Sequence, residues 1–368
     1  MIVPFGDLSR EYAEIKPDID AALDRVLTSG RFILGREIAA FEVAFAAYVG
    51  ARYCVGCASG TDALTLALRA LDLGPGDEVV TQANTCFATV CGLINARVRP
   101  VFCEALGESA MIAPRSLAAA ITRRTRAIVP VNLYGASPDY DELRKFSRDH
   151  SLPLVEDCAQ SHGAAFDGKR TGTFGVMGCF SFYPSKNLGC YGDGGAVVTD
   201  SRDHYERLLR LRNYGQDTRS SHKEYGMNSR LDEVQAAILG VKLPRLDAWN
   251  ARRKHLAAMY TDLLKTTTSV RPLEFSDRVD PVHHLYVVRA PRRQELQDHL
   301  AARGISTFIH YPVSCHLQEA CRDLGYRPGD FPAAEALARE VLSLPLYPHL
   351  GDEEVQHVAQ TIQEFDAH

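Results

Sequence analysis

The stretch SFYPSKNLGCYGDGG, residues 181–195, places Lys186 between a hydroxyl-bearing apolar strand and a glycine-rich turn. Upstream, the apolar run LPLVED, residues 152–157, ends in Asp157, 29 residues before the lysine. A lysine can form a Schiff base with a carbonyl when its surroundings depress its pKa. An aspartate at the end of a buried strand can hold a pyridine nitrogen protonated. Although a solvated loop lysine is the alternative, the ordered combination predicts a site for pyridoxal 5′-phosphate.

Short apolar strands alternate with helical segments on both sides of this stretch, from Ala58 to Asp200. The strands are predicted at residues 77–81, 100–103, 126–131, 152–157, 179–183 and 196–199. Such alternation predicts an α/β fold with a mostly parallel central sheet between two layers of helices. Because parallel strands end at one edge of a sheet, residues that follow different strands can meet there.

A cofactor phosphate needs N–H groups and hydroxyls near a helix N-terminus, where the helix dipole favours an anion. A helix is predicted from Thr61, because Leu64, Leu68 and Leu71 recur at helical spacing before a Gly-Pro-Gly stop at residues 74–76. Gly60 and Thr61 therefore stand at its N-terminus. Ser-Gly-Thr is a common helix start and does not by itself indicate a phosphate site. The interpretation is supported by Asp157 and Lys186, which the same predicted sheet can bring close to Gly60 and Thr61.

The pattern changes after Trp249, where a smaller α+β domain is predicted. Its elements are strands at 284–288 and 305–311 and helices at 294–303, 332–342 and 353–365. The predicted domains are therefore residues 1–248, which bind the cofactor, and residues 249–368. Within the first domain, a polar loop at 213–228 precedes a long helix, and Ser229 with Asp232 forms a capping-box pattern at the start of that helix.

The composition is that of an ordinary globular protein with a sizeable core. The 368 residues are 46% hydrophobic, and the net charge of −5 comes from 41 basic and 46 acidic residues that are interspersed. No basic run or long apolar stretch is present, so we expect no nucleic acid partner and no membrane partner. The N-terminus does not resemble a secretion signal, which predicts a cytoplasmic protein.

Ten cysteines are scattered through apolar segments and are predicted to be free thiols. Cys54 and Cys57 have the spacing of half a zinc site, but no second pair follows at ligand spacing. His283 and His284 are adjacent and are expected to point to opposite faces of a strand. We therefore predict no metal site.

These segments together resemble the sugar-nucleotide aminotransferases of fold type I, which make amino-deoxysugars and aminocyclitols. The resemblance covers nearly the whole chain. The matching segments are SGRFILG (29–35), ASGTDAL (58–64), VEDCAQ (155–160), SKNLG (185–189), GDGG (192–195), NSRLDEVQAA (228–237), HYP (310–312) and LSLPLYP (342–348).

The resemblance implies a role for each residue of the predicted site. Lys186 would carry the cofactor, Asp157 would pair with its ring nitrogen, and Gln160 would lie near its ring hydroxyl. Gly60, Thr61 and Ser181 would hold the phosphate. In this family an asparagine of the neighbouring subunit reaches the phosphate, and Asn228 stands at that position, which implies a homodimer with shared active sites. His310 and Tyr311 match a segment near the nucleotide-sugar site, and a structural role is the alternative.

One position departs from the family pattern, which has an aromatic residue stacked on the cofactor ring. The chain reads Thr85-Cys86-Phe87-Ala88-Thr89, with Cys86 at the aromatic position. In an extended stretch Phe87 would point the opposite way. Either the sulfur of Cys86 packs on the ring or Phe87 belongs to the core.

The predicted function is amino transfer from glutamate or a similar donor to a nucleotide-linked ketosugar, most specifically a dTDP-3-keto-6-deoxyhexose. Amination at carbon 4 and amination of a keto-cyclitol are the alternatives. A nicotinamide-dependent oxidoreductase would need a Gly-x-Gly-x-x-Gly turn after its first strand, and none is present. A protein that binds the cofactor without catalysis is a further alternative, which the retained Lys186, Asp157 and Ser181 disfavour.

Overall fold

The computed structural model describes residues 1–367. Its α-helices are α1 (Leu8–Ser29), α2 (Arg36–Val49), α3 (Gly60–Ala70), α4 (Phe87–Asn95), α5 (Pro114–Ala120), α6 (Tyr140–His150), α7 (Arg202–Leu211), α8 (Glu233–Lys242), α9 (Leu246–Leu264), α10 (Arg293–Ala301), α11 (Pro332–Glu340) and α12 (Asp352–Asp366). Its strands are β1 (Tyr53–Cys57), β2 (Glu78–Gln82), β3 (Arg99–Cys103), β4 (Thr125–Val129), β5 (Val155–Asp157), β6 (Ala165–Phe166), β7 (Lys169–Arg170), β8 (Met177–Ser181), β9 (Gly195–Thr199), β10 (Gln216–Thr218), β11 (Ser221–His222), β12 (Arg271–Pro272), β13 (Val279–Asp280), β14 (Tyr286–Arg289) and β15 (Val341–Leu344).

The central sheet has the strand order β1-β9-β8-β5-β4-β2-β3. Strands β5 and β8 pair in parallel, as do β2 with β3 and β2 with β4. Parallel bridges from Ile128 to Leu154 and from Val131 to Asp157 join β4 to β5. Strand β9 runs antiparallel to both of its neighbours, β1 and β8. The predicted α/β fold with a mostly parallel central sheet is confirmed.

Helices cover both faces of this sheet because its strands alternate their side chains between two apolar layers. Val55 and Val197 face a cluster that contains Leu64 and Leu68 of α3. Their neighbours Cys54, Ala196 and Val198 face the opposite cluster, where α2 contributes Phe41 and Phe45. This two-sided burial fixes the register of β1 on β9 and therefore sets where α3 begins.

A second core lies outside the central sheet, around the antiparallel strands β12, β14 and β15 and the helices α9, α10 and α12. We propose that the predicted boundary at residues 248 and 249 follows this core, since nearly all of its buried residues come after residue 249. Val3 is the exception, because it bridges to Ile305 and packs into the same core. The N-terminal segment thus ties the two parts together.

Two local predictions are wrong, and β1 was not predicted as a strand. Residues 305–311 pair at only two isolated points, Ile305 with Val3 and Phe308 with Ser343, so no ladder forms. Ser229 does not cap α8, which begins at Glu233 after Asp232. Its hydroxyl instead accepts from the Ala58 N–H at 3.1 Å and donates to Asp62 at 2.6 Å. These tertiary hydrogen bonds take the place of the predicted capping hydrogen bond.

Candidate active site

A cavity of about 410 Å³ opens at the carboxyl edge of the central sheet. Asp157 and Ser181 end β5 and β8 at this edge, and α3 begins beside them three residues after β1. The sequence-predicted residues that line the cavity are Gly60, Thr61, Cys86, Asp157, Gln160, Ser181, Lys186, His310 and Tyr311. Asn228 does not line the cavity. This residue is exposed, and its backbone forms an isolated β-bridge with Asn213 elsewhere on the surface.

Lys186 enters the cavity from the turn after β8. Burial lowers the pKa of Lys186, and the nearby Cys86 and Asp157 act in the opposite direction. A lowered pKa increases the fraction of neutral amine, which is the form that attacks carbonyls and accepts protons.

Asp157 presents a buried carboxylate at the other side of the cavity. Its Oδ2 accepts from the Thr89 hydroxyl at 2.8 Å and its Oδ1 from the Ala159 N–H at 3.1 Å. Burial raises the pKa of Asp157, while these two donors and Lys186 oppose the rise. Within residues 1–367 no basic side chain forms an ion pair with this carboxylate. A protonated ring nitrogen would supply the missing cation.

The start of α3 and the end of β8 form a cradle with the shape and chemistry that a phosphate requires. The first N–H groups of a helix have no partner within the helix, and they attract anions. Ser59 caps α3 by accepting from the Asp62 N–H at 3.1 Å. A Cβ added to Gly60 would lie 2.6 Å from the Cβ of Ser181, so the backbone of Gly60 is too close to that serine to carry a side chain. Together with Asp157 and Lys186, this cradle fits pyridoxal 5′-phosphate.

Replacing Gly60 by alanine should therefore weaken cofactor retention. The added methyl group must displace Ser181 or the helix start, and both belong to the predicted phosphate cradle. We expect the dissociation constant for the cofactor to rise at least about tenfold, which corresponds to ~1.4 kcal/mol. Equilibrium dialysis with pyridoxal 5′-phosphate measures it.

Gly74→Ala is the matched control, because a Cβ added there meets no atom within 4 Å. The control should bind the cofactor with wild-type affinity. Equal affinities for wild type and Gly60→Ala would contradict the cradle.

Gln160 and Tyr311 are joined at the wall of the cavity. The Gln160 Nε2 donates to the Tyr311 hydroxyl at 3.1 Å, and the Gln160 Oε1 accepts from the Tyr134 N–H at 2.7 Å. The Tyr134 hydroxyl donates in turn to the backbone carbonyl of His310. Burial lowers the pKa of His310 to about 4, so its imidazole is neutral at physiological pH. The segment at 310–311 is thus anchored to the cofactor side of the cavity.

Cys86 lies in the cavity while Phe87 turns away from it. The stretch is not extended here, because Cys86 is the N-cap of α4 and Phe87 is its first residue. Phe87 packs against Val90, Phe102 and Cys315 in an apolar cluster. Phe87 therefore packs against a core cluster, as one of the two alternatives left by the sequence had it, and Cys86 lines the cavity.

The sequence did not indicate the residues that hydrogen-bond to Asp157 and Gln160 from outside the predicted site. Thr89 donates to Asp157 across 68 positions, and Tyr134 donates to Gln160 across 26. Thr89 belongs to the same short stretch as Cys86, yet no spacing rule connects it to Asp157. Such contacts become visible only when the strands are placed side by side.

The α/β fold and this cavity define a pyridoxal phosphate-dependent enzyme, because a lysine of lowered pKa, an unpaired buried carboxylate and an anion cradle converge at one edge of the sheet. The chain belongs to the DegT/DnrJ/EryC1/StrS aminotransferase family, whose pattern matches residues 13–363. It is therefore an aminotransferase of fold type I, and pyridoxal 5′-phosphate is its cofactor.

The chain is also similar over its full length to curated relatives, of which one is named as a transaminase. The chain is 47% identical over 363 residues to a dTDP-3-amino-3,4,6-trideoxy-alpha-D-glucose transaminase from Streptomyces venezuelae, covering 99% of this chain and 96% of the relative. It is 43% identical over 371 residues to a protein from Geobacillus stearothermophilus named pleiotropic regulatory protein, covering all of both. The crystal structure of S. venezuelae DesV in complex with a ketimine intermediate superposes with a TM-score of 0.98 at 46% identity, covering 100% of this chain and 99% of DesV.

Proposed function

We propose that this aminotransferase moves an amino group from glutamate or a similar donor to a nucleotide-linked ketosugar, and that the acceptor is a dTDP-linked 3-keto-6-deoxyhexose. The observation that carries the proposal is the full-length identity of 47% to a transaminase of a dTDP-linked 3-amino sugar. The match covers 99% of this chain and so spans the segment at 310–312, whose family resemblance implies a place near the nucleotide-sugar site.

We assign the roles of the chain's own residues as follows. When bound, pyridoxal 5′-phosphate supplies an electron-withdrawing ring that stabilises negative charge at the substrate carbon. The Lys186 Nζ takes the proton from the α-carbon of the donor and later returns a proton to the acceptor carbon. Asp157 holds a proton on the ring nitrogen, and Gly60, Thr61 and Ser181 hold the phosphate. Gln160, His310 and Tyr311 shape the wall that the substrate meets.

A single-turnover experiment tests the acceptor class. The enzyme is converted to its pyridoxamine form with glutamate and freed of donor. It then receives separately a 3-keto nucleotide sugar, a 4-keto nucleotide sugar and a keto-inositol. We expect the absorbance of the lysine-bound cofactor to return only with the 3-keto sugar. Return only with the 4-keto sugar or only with the keto-inositol would overturn the proposed acceptor and leave the aminotransferase chemistry intact.

We further propose that the enzyme is a homodimer whose active sites are shared. Tyr225 is 94% exposed, and Phe32, Ile33 and Leu34 form an exposed apolar run between α1 and α2. A run of this kind marks an interaction surface, and a second copy would cover it. Asn228 lies on the outer surface of its own subunit, which agrees with a role in the neighbouring site.

Mixing the inactive variant Lys186→Ala with Asn228→Ala, which should retain the cofactor weakly, should raise activity if Asn228 acts across the interface. In a heterodimer of Lys186→Ala and Asn228→Ala chains, one site receives Lys186 from one chain and Asn228 from the other. That site should regain wild-type cofactor affinity and turnover, which gives about half the activity per heterodimer. Activity is measured after dissociation and reassociation of the mixed chains. If the mixture has no more activity and no higher cofactor affinity than its Asn228→Ala parent, Asn228 does not serve the partner's site.

No helix within residues 1–367 has both the length and the apolar content needed to cross a membrane. We propose a cytoplasmic location on the basis of the sequence.

A further inference from the structure

His284 borders Lys186 at the junction of two cavities. It precedes β14 and lines the cofactor cavity together with Lys186 and His310. The same three residues line an adjoining cavity of about 420 Å³ on the side of the N-terminal segment and the loop after β15. His284 is only 7% exposed, so its ring nitrogens depend on protein partners or on whatever occupies these cavities.

A chain of buried amides decides which nitrogen of His284 carries the proton. Asn250 donates through Nδ2 to the His162 carbonyl at 2.8 Å, so its Oδ1 is free to accept. Asn187 donates through Nδ2 to that Oδ1 at 2.8 Å and to the Val282 carbonyl at 3.1 Å. Its own Oδ1 therefore faces the Nδ1 of His284, at 3.1 Å.

An amide oxygen cannot donate, so the His284 Nδ1 must carry the hydrogen. The second nitrogen, Nε2, then has a bare lone pair, and it forms no hydrogen bond with any residue in the range 1–367. The groups that face His284 are Lys186, Arg253, His310 and His162. Burial, followed by the charges on these neighbours, holds the pKa of His284 well below its usual value.

In the structure the side chains of His284 and Lys186 border the same cavity without a hydrogen bond between them. We propose that the Nε2 of His284 accepts a hydrogen bond from the Nζ of Lys186 when that lysine is free of the cofactor and protonated, which makes His284 a positioning residue for amino transfer. The proposal rests on the proposed role of Lys186. A neutral imidazole is a much weaker base than the lysine amine, so the proton that Lys186 takes from the donor stays on Nζ. His284 holds the resulting ammonium in reach of the carbon to which the proton returns.

This role predicts a distinctive pattern of effects, because a hydrogen bond to the ammonium form raises the pKa of Lys186. Loss of the acceptor should lower that pKa and speed the attachment of the cofactor at pH 7. The same loss should slow turnover, since the ammonium is no longer held in place. A purely structural role would slow both processes.

Two variants separate the nitrogens of His284. His284→Asn keeps a donor at the position of Nδ1 for Asn187 and removes the acceptor in the cavity. His284→Gln keeps an acceptor near the position of Nε2 and removes the donor to Asn187. The full-length chain is freed of cofactor, and the rate of pyridoxal 5′-phosphate attachment is followed by absorbance from pH 6 to pH 10. The midpoint of this profile reports the pKa of free Lys186.

We expect the midpoint of His284→Asn to fall by about one pH unit, with attachment at pH 7 up to about tenfold faster and turnover about tenfold slower. His284→Gln should keep the wild-type midpoint. An unchanged midpoint in His284→Asn, or the same shift in both variants, would overturn the proposal. Lys186→Ala is measured in the same experiment. If this variant still gains the absorbance of the lysine-bound cofactor, the proposed role of Lys186 is wrong. That outcome differs from an unchanged midpoint in His284→Asn, which would contradict the His284 proposal alone.

Discussion

Lys186→Ala should lose the absorbance of the lysine-bound cofactor and at least about 10⁴-fold in turnover, the scale seen when the central group of a catalytic unit is removed. The physical reason is that no other amine lines the cofactor cavity within residues 1–367. The variant should remain folded, because burial opposes the charge of Lys186 and its removal leaves no unpaired cation. Steady-state kinetics and an absorbance spectrum of the purified protein measure both effects.

Chemical rescue provides a second test of Lys186 as the proton carrier. A small primary amine added at millimolar concentration can enter the space left by the side chain and accept the proton, so turnover of Lys186→Ala should rise with amine concentration. Lys145→Ala is the matched control, since that lysine is exposed and pairs with Asp149 one turn away on α6. Turnover of Lys186→Ala within tenfold of wild type would exclude this lysine as the proton carrier.

Asp157→Asn should keep the cofactor bound and slow turnover about 100- to 1,000-fold, as expected for the loss of one preorganised electrostatic contact. An amide retains the size and most of the hydrogen bonding of the carboxylate, but it cannot hold a proton on the ring nitrogen. A primary kinetic isotope effect with α-deuterated donor should increase, because proton abstraction becomes more strongly rate-limiting. A near-normal rate would remove Asp157 from the mechanism.

The same substitution should stabilise the cofactor-free protein. Burial raises the pKa of Asp157, so folding opposes the ionised form and the protein is destabilised at any pH above the folded-state pKa. The amide introduced by Asp157→Asn carries no such charge, and we expect the free energy of unfolding of this variant at pH 7 to exceed that of wild type. The difference should shrink as the pH falls through the pKa of Asp157, and urea unfolding at several pH values measures it.

Thr89→Val is a useful control for both Asp157 experiments. It removes the hydroxyl that donates to the Asp157 Oδ2 and leaves the carboxylate in place. Turnover should fall only about tenfold, because one neutral donor contributes less than the charge itself. A loss as large as that of Asp157→Asn would show that the geometry of the carboxylate matters more than its charge.

Much of the fold and the cofactor site could be predicted because the relevant patterns are local. Apolar runs of strand length and leucines at helical spacing specify α3 and the strands β2 to β5, β8 and β9 to within a few residues. Asp157 and Ser181 end their strands, and the carboxyl ends of parallel strands lie at one edge of the sheet regardless of the loops that connect them. The errors arose where a residue had a distant partner, as when Ser229 bonded Ala58 and Asp62 instead of capping α8.

The sequence by itself determined the alternation of strands and helices from β2 to β9, the candidate lysine and aspartate, and the start of α3 near Gly60. Each of these depends on residues within a few positions of one another. Only the tertiary structure decided that Phe87 turns into the core, that Thr89 supports Asp157, and that His284 presents a bare Nε2 beside Lys186. The last of these depends on Asn187, Asn250 and His284, which lie up to 97 positions apart. Hydrogen bonds of this kind follow from how helices and strands pack against each other, which no local pattern encodes.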